Sequence, residues 1–159
     1  VQDVLHKNDL SPNYIELELT ESAIMHRPDD AKEKLHELKK LGVWLALDDF
    51  GTGYSSLSYL KLFPIDRIKI DRSFVNEATI NNDDAAIVET VISLANNMRM
   101  QVIAEGVETR EHVEFLLARG CHEMQGYYYA RPLPADQCEK LLIPGFVTEK
   151  WHATLPLPF

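Results

Sequence analysis

Short apolar runs alternate with helix-like segments along most of the chain. Each run is rich in β-branched, leucine or aromatic residues, and an acidic or polar cluster follows it before apolar residues recur at helical spacing. This alternation is typical of an α/β fold with parallel strands. The pattern predicts five strands, at residues 14–19, 43–47, 67–70, 101–104 and 126–129.

The segments between these strands are predicted to be helices. Two of them are followed by a glycine in the C′ position, Gly42 and Gly120, where a helix commonly ends. Residues 144–159 contain three prolines and a glycine, so we expect a C-terminal tail after a domain formed by residues 1–143. The predicted helices are residues 30–41, 55–62, 84–98, 109–119 and 134–142.

Charged residues stand at the C-terminal ends of four successive predicted strands. An open doubly wound sheet concentrates its site at a switch point, whereas a barrel gathers all of its strand ends around one rim. Because one rim would collect all of these charges, we favour an incomplete (β/α)₈ TIM-type barrel with about five of its eight strand–helix units. The charged pairs are Glu18 and Glu21, Asp48 and Asp49, Lys69 and Asp71, and Glu105 and Glu108.

The chain is short for a complete barrel, which takes about 250 residues. With 159 residues and about three strands fewer, a lone copy would leave a strand edge and a core face exposed. We therefore expect these residues to come from a larger chain, to exchange elements with a partner, or to be poorly stable alone.

Charge and composition exclude some classes of partner. The formal net charge of −9 argues against a surface that binds a DNA or RNA polymer, because polyanions would be repelled. The two cysteines, Cys121 and Cys138, are expected to be reduced thiols. No apolar run approaches the roughly 20 residues that cross a bilayer. We expect a cytoplasmic domain, whose parent protein could still be anchored in a membrane.

Four carboxylates at neighbouring strand ends form the strongest chemical pattern. Without cations they would repel one another and raise each other's pKa values. Oxygen ligands without a His or Cys set favour Mg²⁺ or Mn²⁺, and an adjacent acid pair can flank two ions roughly 3.5–4 Å apart, as in phosphoryl transfer. Taken singly, each acid fits a helix cap or a solvated loop better, so the metal hypothesis depends on the four together. They are Glu18, Asp48, Asp49 and Glu105.

Lys69 and a glycine-rich loop accompany these acids. In an alternating strand Lys69 faces the same side as the site, where it could hold an attacking water or neutralise charge on phosphorus. Its spacing is equally compatible with a structural ion pair to Asp71 or another acid. Gly51, Thr52 and Gly53 follow the acid pair directly and predict a tight, mobile loop.

The histidines and the tyrosine run carry weaker signals. The six histidines have no HExxH spacing and are predicted to lie at the surface. The tyrosines at 127–129 are predicted to pack within a strand, although a ring at the strand end could stack on a base.

Five segments, in this order and at this spacing, resemble the signatures of the EAL-domain phosphodiesterases of bacterial cyclic di-GMP signalling. The resemblance implies a (β/α)₈ barrel that hydrolyses cyclic di-GMP to linear pGpG with two Mg²⁺ or Mn²⁺ ions. The run at 131–133 matches the motif that closes the family's pattern. The five segments are ELTE at 18–21, DDFGTGYSS at 48–56, KID at 69–71, AEGVET at 104–109 and QGY at 125–127.

The resemblance also implies a role for each matching residue. Glu18 would ligate one ion, Asp48 would bridge both, and Asp49 with Glu105 would serve the second. Lys69 would position or activate the attacking water, with Glu105 beside it among the catalytic residues. The resemblance further implies that Glu21 braces the loop of Gly51, Thr52 and Gly53, that Glu108 supports the site, and that Gln125 and Asp71 contact the bound nucleotide.

The chain departs from the family pattern before its first matching motif. The family's Glu-Ala-Leu motif, whose Glu is a metal ligand, and the Asn ligand of the next strand are not found in residues 1–13. The first ion would keep only Glu18 and Asp48, so we expect residues 1–159 alone to be inactive or weak.

Two other functions remain open on the sequence: a cyclic di-GMP receptor that has lost catalysis, and a scaffold that only dimerises. The intact acids favour the enzyme. By the resemblance we also expect a homodimer and, in the parent chain, sensory or GGDEF domains.

Overall fold

The computed structural model describes residues 1–53 and 60–141, and the chain divides into two compact units at residues 1–129 and 130–159. The first unit is built on a five-stranded sheet in which every paired strand runs parallel to its neighbour. The strand order β1-β2-β3-β4-β5 follows the sequence, as in a barrel of successive strand–helix units. The strands are β1 (Glu16–Thr20), β2 (Trp44–Phe50), β3 (Arg67–Ile70), β4 (Gln101–Ala104) and β5 (Glu123–Met124).

Helices lie between successive strands in the described parts of the chain, and several begin at a polar cap. The side chains of Asp71, Asn81 and Thr109 each accept a hydrogen bond from a backbone N–H two or three residues further on, which satisfies a donor that the first helical turn leaves free. The helices of the first unit whose bounds lie within the described residues are α1 (Gln2–Lys7), a 3₁₀ turn (Pro12–Tyr14), α2 (Glu21–Met25), α3 (Pro28–Lys40), α4 (Arg72–Glu77), α5 (Asn82–Asn97) and α6 (Arg110–Leu117). The second unit contains α7 (Ala135–Leu141).

The hydrophobic core lies on the helix-covered face of the sheet. Side chains alternate between the two faces of a strand, so the leucines of β2 and the isoleucines of β3 turn towards the helices, while Arg67 and Lys69 turn to the opposite face. Helix α5 packs on β3 and β4 from the apolar side. The opposite face is therefore free to carry charged groups. The strand residues with no exposed surface are Leu45, Ala46, Leu47, Ile68, Ile70 and Ala104.

The predicted α/β class and the parallel sheet are confirmed, but the fifth strand was predicted at the wrong place. β5 occupies Glu123–Met124, and residues 127–129 form a turn in which the Tyr128 N–H donates to the Val107 carbonyl at 2.9 Å. A Cβ on Gly126 would lie 2.1 Å from the same carbonyl oxygen. The tyrosines have high strand propensity, but the close approach of a distant backbone segment sets their conformation.

The remaining predictions about organisation have mixed outcomes. Both cysteines are free thiols, Cys121 buried and Cys138 exposed, as predicted. No helix in residues 1–53 or 60–141 is both long enough and apolar enough to span a membrane. Residues 55–59 of the predicted short helix and the predicted boundary between residues 143 and 144 lie outside the described residues.

Candidate active site

Three carboxylates converge on a buried lysine at the C-terminal ends of the strands. Lys69 is the third residue of β3, and its side chain is only 5% exposed. Its Nζ lies 2.8 Å from Glu18 Oε1, 2.9 Å from Asp48 Oδ1 and 2.8 Å from Glu105 Oε1. These acids come from β1, from β2 and from the residue directly after β4. We call these four residues the Lys69 cluster.

The Lys69 cluster keeps an excess of negative charge. Burial alone would lower the pKa of Lys69, but its hydrogen bonds to Glu105, Glu18 and Asp48 outweigh burial and raise the pKa. Lys69 is therefore protonated at neutral pH and can donate hydrogen bonds but cannot accept a proton. One positive charge faces three carboxylates, so the site attracts a further cation.

Asp49 stands beside Asp71, apart from the three acids of the Lys69 cluster. Burial and the neighbouring charges of Asp48 and Asp71 raise the pKa of Asp49. Burial would also raise the pKa of Asp71, but hydrogen bonds from Ser73 outweigh it and lower that pKa. Of the two carboxyl groups, Asp49 therefore has the greater tendency to hold a proton.

Asp49 also has an unusual backbone conformation. Its φ of 52° lies in the left-handed region, where a residue with a side chain is strained by about 1 kcal/mol or more. The strained residue is thus one of the two adjacent acids. Thr52 stabilises the turn, because its N–H and its hydroxyl group donate hydrogen bonds to the Asp49 carbonyl at 3.3 and 2.8 Å. Strained residues of this kind are concentrated at functional sites.

Glu21 lies directly beneath the glycine loop. Its side chain is buried, and neither carboxylate oxygen accepts a hydrogen bond from the residues that the structure describes. A Cβ on Gly53 would lie 3.0 Å from Glu21 Oε1, so the loop passes close over the carboxylate. At Gly51 φ is 97°, a conformation that favours glycine. The position of Glu21 suits a residue that supports this loop.

The loop that carries Glu105 is fixed by backbone contacts to the segment of Gln125. The Val107 N–H donates to the Gln125 carbonyl at 3.1 Å, and the Gln125 N–H donates to the Ala104 carbonyl at 2.8 Å. Gly126 follows, where any side chain would collide with the Val107 backbone. Glu108 ends the loop, and its N–H donates to His112 Nδ1 at 3.4 Å.

The carboxylate oxygens of the site are chemically suited to a hard divalent cation, but in this structure they are arranged around the ammonium group of Lys69. Among the described residues, no group of three or more Asp, Glu, His or Cys side chains is arranged to hold a metal ion. Lys69 Nζ occupies the point where the oxygens of Glu18, Asp48 and Glu105 meet. Carboxylate oxygens are the ligands that Mg²⁺ and Mn²⁺ prefer. A metal ion would bind these oxygens once Lys69 withdraws from one or more of them.

Of the predicted site residues, the structure brings Glu18, Asp48 and Glu105 together around Lys69 and pairs Asp49 with Asp71. Within the described part of the chain, Lys69 makes its salt bridges with the three acids and none with Asp71. The other predicted residues border the site through the glycine loop and the Glu105 loop. The individual roles of all these residues stay predictions.

A second ionic group on the same face of the sheet was not predicted. Arg67 Nη1 lies 2.9 Å from Glu16 Oε2, and Arg67 Nη2 lies 2.7 Å from Glu123 Oε2 and 2.6 Å from Gln101 Oε1. Each of these residues is the first of its strand. The signal was present as polar residues two positions before Glu18 and Lys69. We call Arg67, Glu16, Gln101 and Glu123 the Arg67 cluster.

His112 was also missed, because surface positions were predicted for all six histidines. Only 7% of the surface of His112 is accessible to solvent. The available signal was its spacing, three residues after the helix-capping Thr109.

Comparison with known proteins identifies the class to which this fold and site belong. The sequence model of the EAL domain matches residues 1–132. The chain is 44% identical over 137 residues to the bifunctional diguanylate cyclase/cyclic di-GMP phosphodiesterase MucR of Pseudomonas aeruginosa. That match covers 86% of this chain and 20% of MucR, so the chain spans about a fifth of the relative's length. The chain belongs to the EAL domain family.

Solved structures agree with this assignment. The structure superposes with a TM-score of 0.84 on the PaMucR phosphodiesterase in complex with c-di-GMP, at 44% identity, covering 87% of this chain and 56% of that one. A complex of Klebsiella pneumoniae BlrP1 with manganese and cyclic di-GMP gives a TM-score of 0.77 at 37% identity, covering 82% and 33% of the two chains.

Proposed function

We propose that this chain provides part of the active site of a metal-dependent phosphodiesterase that hydrolyses cyclic di-GMP to linear pGpG. The observation that carries the proposal is the convergence of Glu18, Asp48 and Glu105 at the strand ends, with more negative charge than Lys69 compensates. The relatives support the substrate, since MucR is named a cyclic di-GMP phosphodiesterase and BlrP1 was solved with manganese and the dinucleotide.

The acids of the chain would hold two ions, Mg²⁺ or Mn²⁺. Glu18 and Asp48 would hold the first, and Asp48, Asp49 and Glu105 would hold the second. Bound divalent ions lower the pKa of an attacking water and neutralise charge on the phosphoryl oxygens. Asp49 would exchange its interaction with Asp71 for a metal ion to become a ligand.

Lys69 would act as a donor. Its raised pKa in this structure shows that the site favours the ammonium form, which can hold the attacking water or a phosphoryl oxygen by hydrogen bonding. With metal ions on the acids, the ammonium group would lose part of its present contacts and would be available to the substrate. Burial of the side chain strengthens this interaction, because little bulk water screens it.

The surrounding residues would shape the site. Glu21 would support the loop of Gly51, Thr52 and Gly53. A Cβ on Gly53 would lie 3.0 Å from Glu21 Oε1, so the loop passes close over the buried carboxylate. Gln125 and Asp71 would contact the nucleotide from the sides of the Glu105 loop and of α4. Glu108 would support Glu105 through the loop that they share.

We further propose that residues 1–159 alone hydrolyse cyclic di-GMP weakly or not at all. The first ion would have only Glu18 and Asp48 as ligands, and a two-metal site that loses ligands loses both affinity and positioning. We propose that the complete protein is a homodimer and that this domain lies on the cytoplasmic side. The complete chain would also carry sensory or GGDEF domains.

The test is a hydrolysis assay with Mn²⁺ or Mg²⁺, in which pGpG is followed by chromatography for the 159-residue chain and for a version extended at its N-terminus. We expect turnover only in the extended protein. Turnover by the short chain alone would contradict the assignment of the first metal site, unless mixing experiments show that a partner copy supplies ligands. No turnover by either would contradict the enzyme and favour a receptor.

Matched variants of the extended protein separate the enzyme from a scaffold. Asp49→Asn should lower turnover by at least about 100-fold with the fold intact, because a metal ligand and a negative charge are lost. Glu16→Gln, in the Arg67 cluster, is the control of equal charge change and should retain turnover. If Asp49→Asn behaves like Glu16→Gln, the acids have no catalytic role.

A further inference from the structure

The loop from Glu105 to Glu108 is held at each end by a different kind of contact. At its start the Glu105 N–H donates to the Ile70 carbonyl of β3 at 3.1 Å, and in its middle the Val107 N–H donates to Gln125. At its end the Glu108 N–H donates to a side chain, His112 Nδ1, at 3.4 Å. The last amide of the loop is therefore bound by an imidazole.

His112 and Thr109 form a reciprocal cap at the start of α6. The Thr109 hydroxyl oxygen accepts a hydrogen bond from the His112 N–H at 3.2 Å, while the His112 ring accepts one from the Glu108 N–H. The arrangement resembles a capping box in which the ring replaces the usual Glu or Gln and reaches one residue further back. Because His112 is buried, the ring cannot turn to solvent without leaving its packing contacts.

Only one protonation state of the His112 ring can accept the hydrogen bond from the Glu108 N–H. An imidazole nitrogen that accepts a hydrogen bond carries no proton, so the proton of His112 belongs on Nε2. The other neutral tautomer and the imidazolium would both point an N–H at the Glu108 N–H. The ring is thus an acceptor at a defined atom, 3.4 Å from a defined donor.

We infer that His112 is a positioning residue of the site: by accepting from the Glu108 amide it fixes the end of the loop that directs Glu105 into the Lys69 cluster. Gly106, with φ of 68°, lies between the two ends, where a side chain would collide with Arg72 of α4, so the loop runs close against that helix. The expected effect on metal binding and turnover rests on the proposed function, whereas the hydrogen bond from the Glu108 N–H to His112 is independent of it.

The first test compares His112→Leu with His112→Gln in the 159-residue chain. Leucine fills a similar volume without an acceptor, whereas glutamine keeps one. We expect hydrogen exchange of the Glu108 amide to be roughly fivefold faster in the leucine variant, the effect of losing one hydrogen bond, and close to wild type in the glutamine variant. His36→Leu, at an exposed histidine in the middle of α3, is the control and should leave this amide unchanged.

The second readout is Mn²⁺ binding by the same variants of the N-terminally extended protein, measured by calorimetry. The leucine variant should bind up to about tenfold more weakly and the glutamine variant should recover most of the loss, as for residues that orient a metal ligand. If wild type binds no Mn²⁺, the proposed function fails, while the amide exchange still decides the role of His112.

Two results would overturn the inference. One is equal acceleration of Glu108 exchange in the leucine and glutamine variants, which would make His112 a packing residue only. The other is a proton on Nδ1 in the wild-type chain, seen in the nitrogen NMR shifts of the imidazole, and this measurement remains decisive if the leucine variant does not fold.

Discussion

The Lys69 cluster and the Arg67 cluster lie on the same face of the sheet and centre on cations two residues apart in β3, yet they are built differently. In the Lys69 cluster one ammonium faces three carboxylates at the strand ends. In the Arg67 cluster a guanidinium faces two carboxylates and an amide at the strand starts, with the Trp44 ring centre 6.0 Å from its Cζ. The first has the larger charge imbalance.

The difference shows which cluster is suited to exchange its cation. The planar fork of Arg67 fixes Glu16 and Glu123 in directions that a spherical ion would not reproduce. An ammonium is a point charge whose place a metal ion can take among the same oxygens. The strand starts are therefore suited to stabilising the sheet, and the strand ends, where loops of a barrel gather, are suited to the proposed metal site.

The largest expected effect is the loss of stability when Gly126 is substituted, because Gly126 packs against the loop that carries Glu105 of the Lys69 cluster. Gly126→Ala would place a Cβ 2.1 Å from the Val107 carbonyl oxygen and displace the loop of Glu105, so we expect a loss of about 4 kcal/mol in unfolding free energy. Gly120→Ala, near the Arg67 end of β5, meets nothing within 4 Å and strains only φ, at a cost of about 1 kcal/mol. Urea unfolding of both variants measures the contrast; equal losses would contradict it.

Removal of the lysine tests the charge imbalance directly. Lys69→Met leaves three carboxylates without their cation, and unfolding free energy should fall by about 3 kcal/mol at neutral pH. Mn²⁺ should restore part of the loss, since it can replace the missing charge. Chemical denaturation with and without the ion is the measurement. A variant as stable as wild type would show that Lys69 does not balance the acids.

The corresponding change in the Arg67 cluster should be smaller and insensitive to metal. Arg67→Met removes links among β1, β3, β4 and β5, but Glu123 is about half exposed, so we expect a loss of about 1–2 kcal/mol. Denaturation under the same conditions should show no recovery with Mn²⁺. Recovery equal to that of Lys69→Met would mean that the two clusters do not differ in cation exchange.

The smallest effect is an alkaline loss of stability at the Arg67 end of β5. The Cys121 thiol donates to the Glu123 carbonyl at 3.4 Å, and burial raises its pKa from 9.0 to about 11. Between these values the unfolded chain loses the thiol proton and the folded chain keeps it, so stability falls as pH rises, by about 1–2 kcal/mol in total. Denaturation of wild type and Cys121→Ala across pH 9 to 11 checks this. An identical slope in both would contradict the assignment.

Local patterns predicted the central strands well and, with them, the meeting of the strand-end acids at one edge. The runs that became β2, β3 and β4 are buried on one face, so their composition and alternation reflect the tertiary structure directly. Parallel strands then bring Glu18, Asp48 and Glu105 to one edge, whatever the details of the loops.

Contacts between distant segments could not be predicted in the same way. The turn after β5 depends on how closely Gly126 approaches Val107, and the pairing of Asp49 with Asp71 follows an irregularity in the register of β2 and β3 between Leu47 and Phe50. Both are set by packing between elements, which hydrophobic periodicity along one element does not encode.

The most direct test of the central claim is an NMR titration of the 159-residue chain with Mn²⁺, repeated for Asp48→Asn and for Glu16→Gln. We expect paramagnetic broadening around Glu18, Asp48 and Glu105, binding at least about tenfold weaker for Asp48→Asn, and unchanged binding for Glu16→Gln. Equal binding by the two variants, or broadening centred on the Arg67 cluster, would contradict the assignment of the strand-end carboxylates as the metal site.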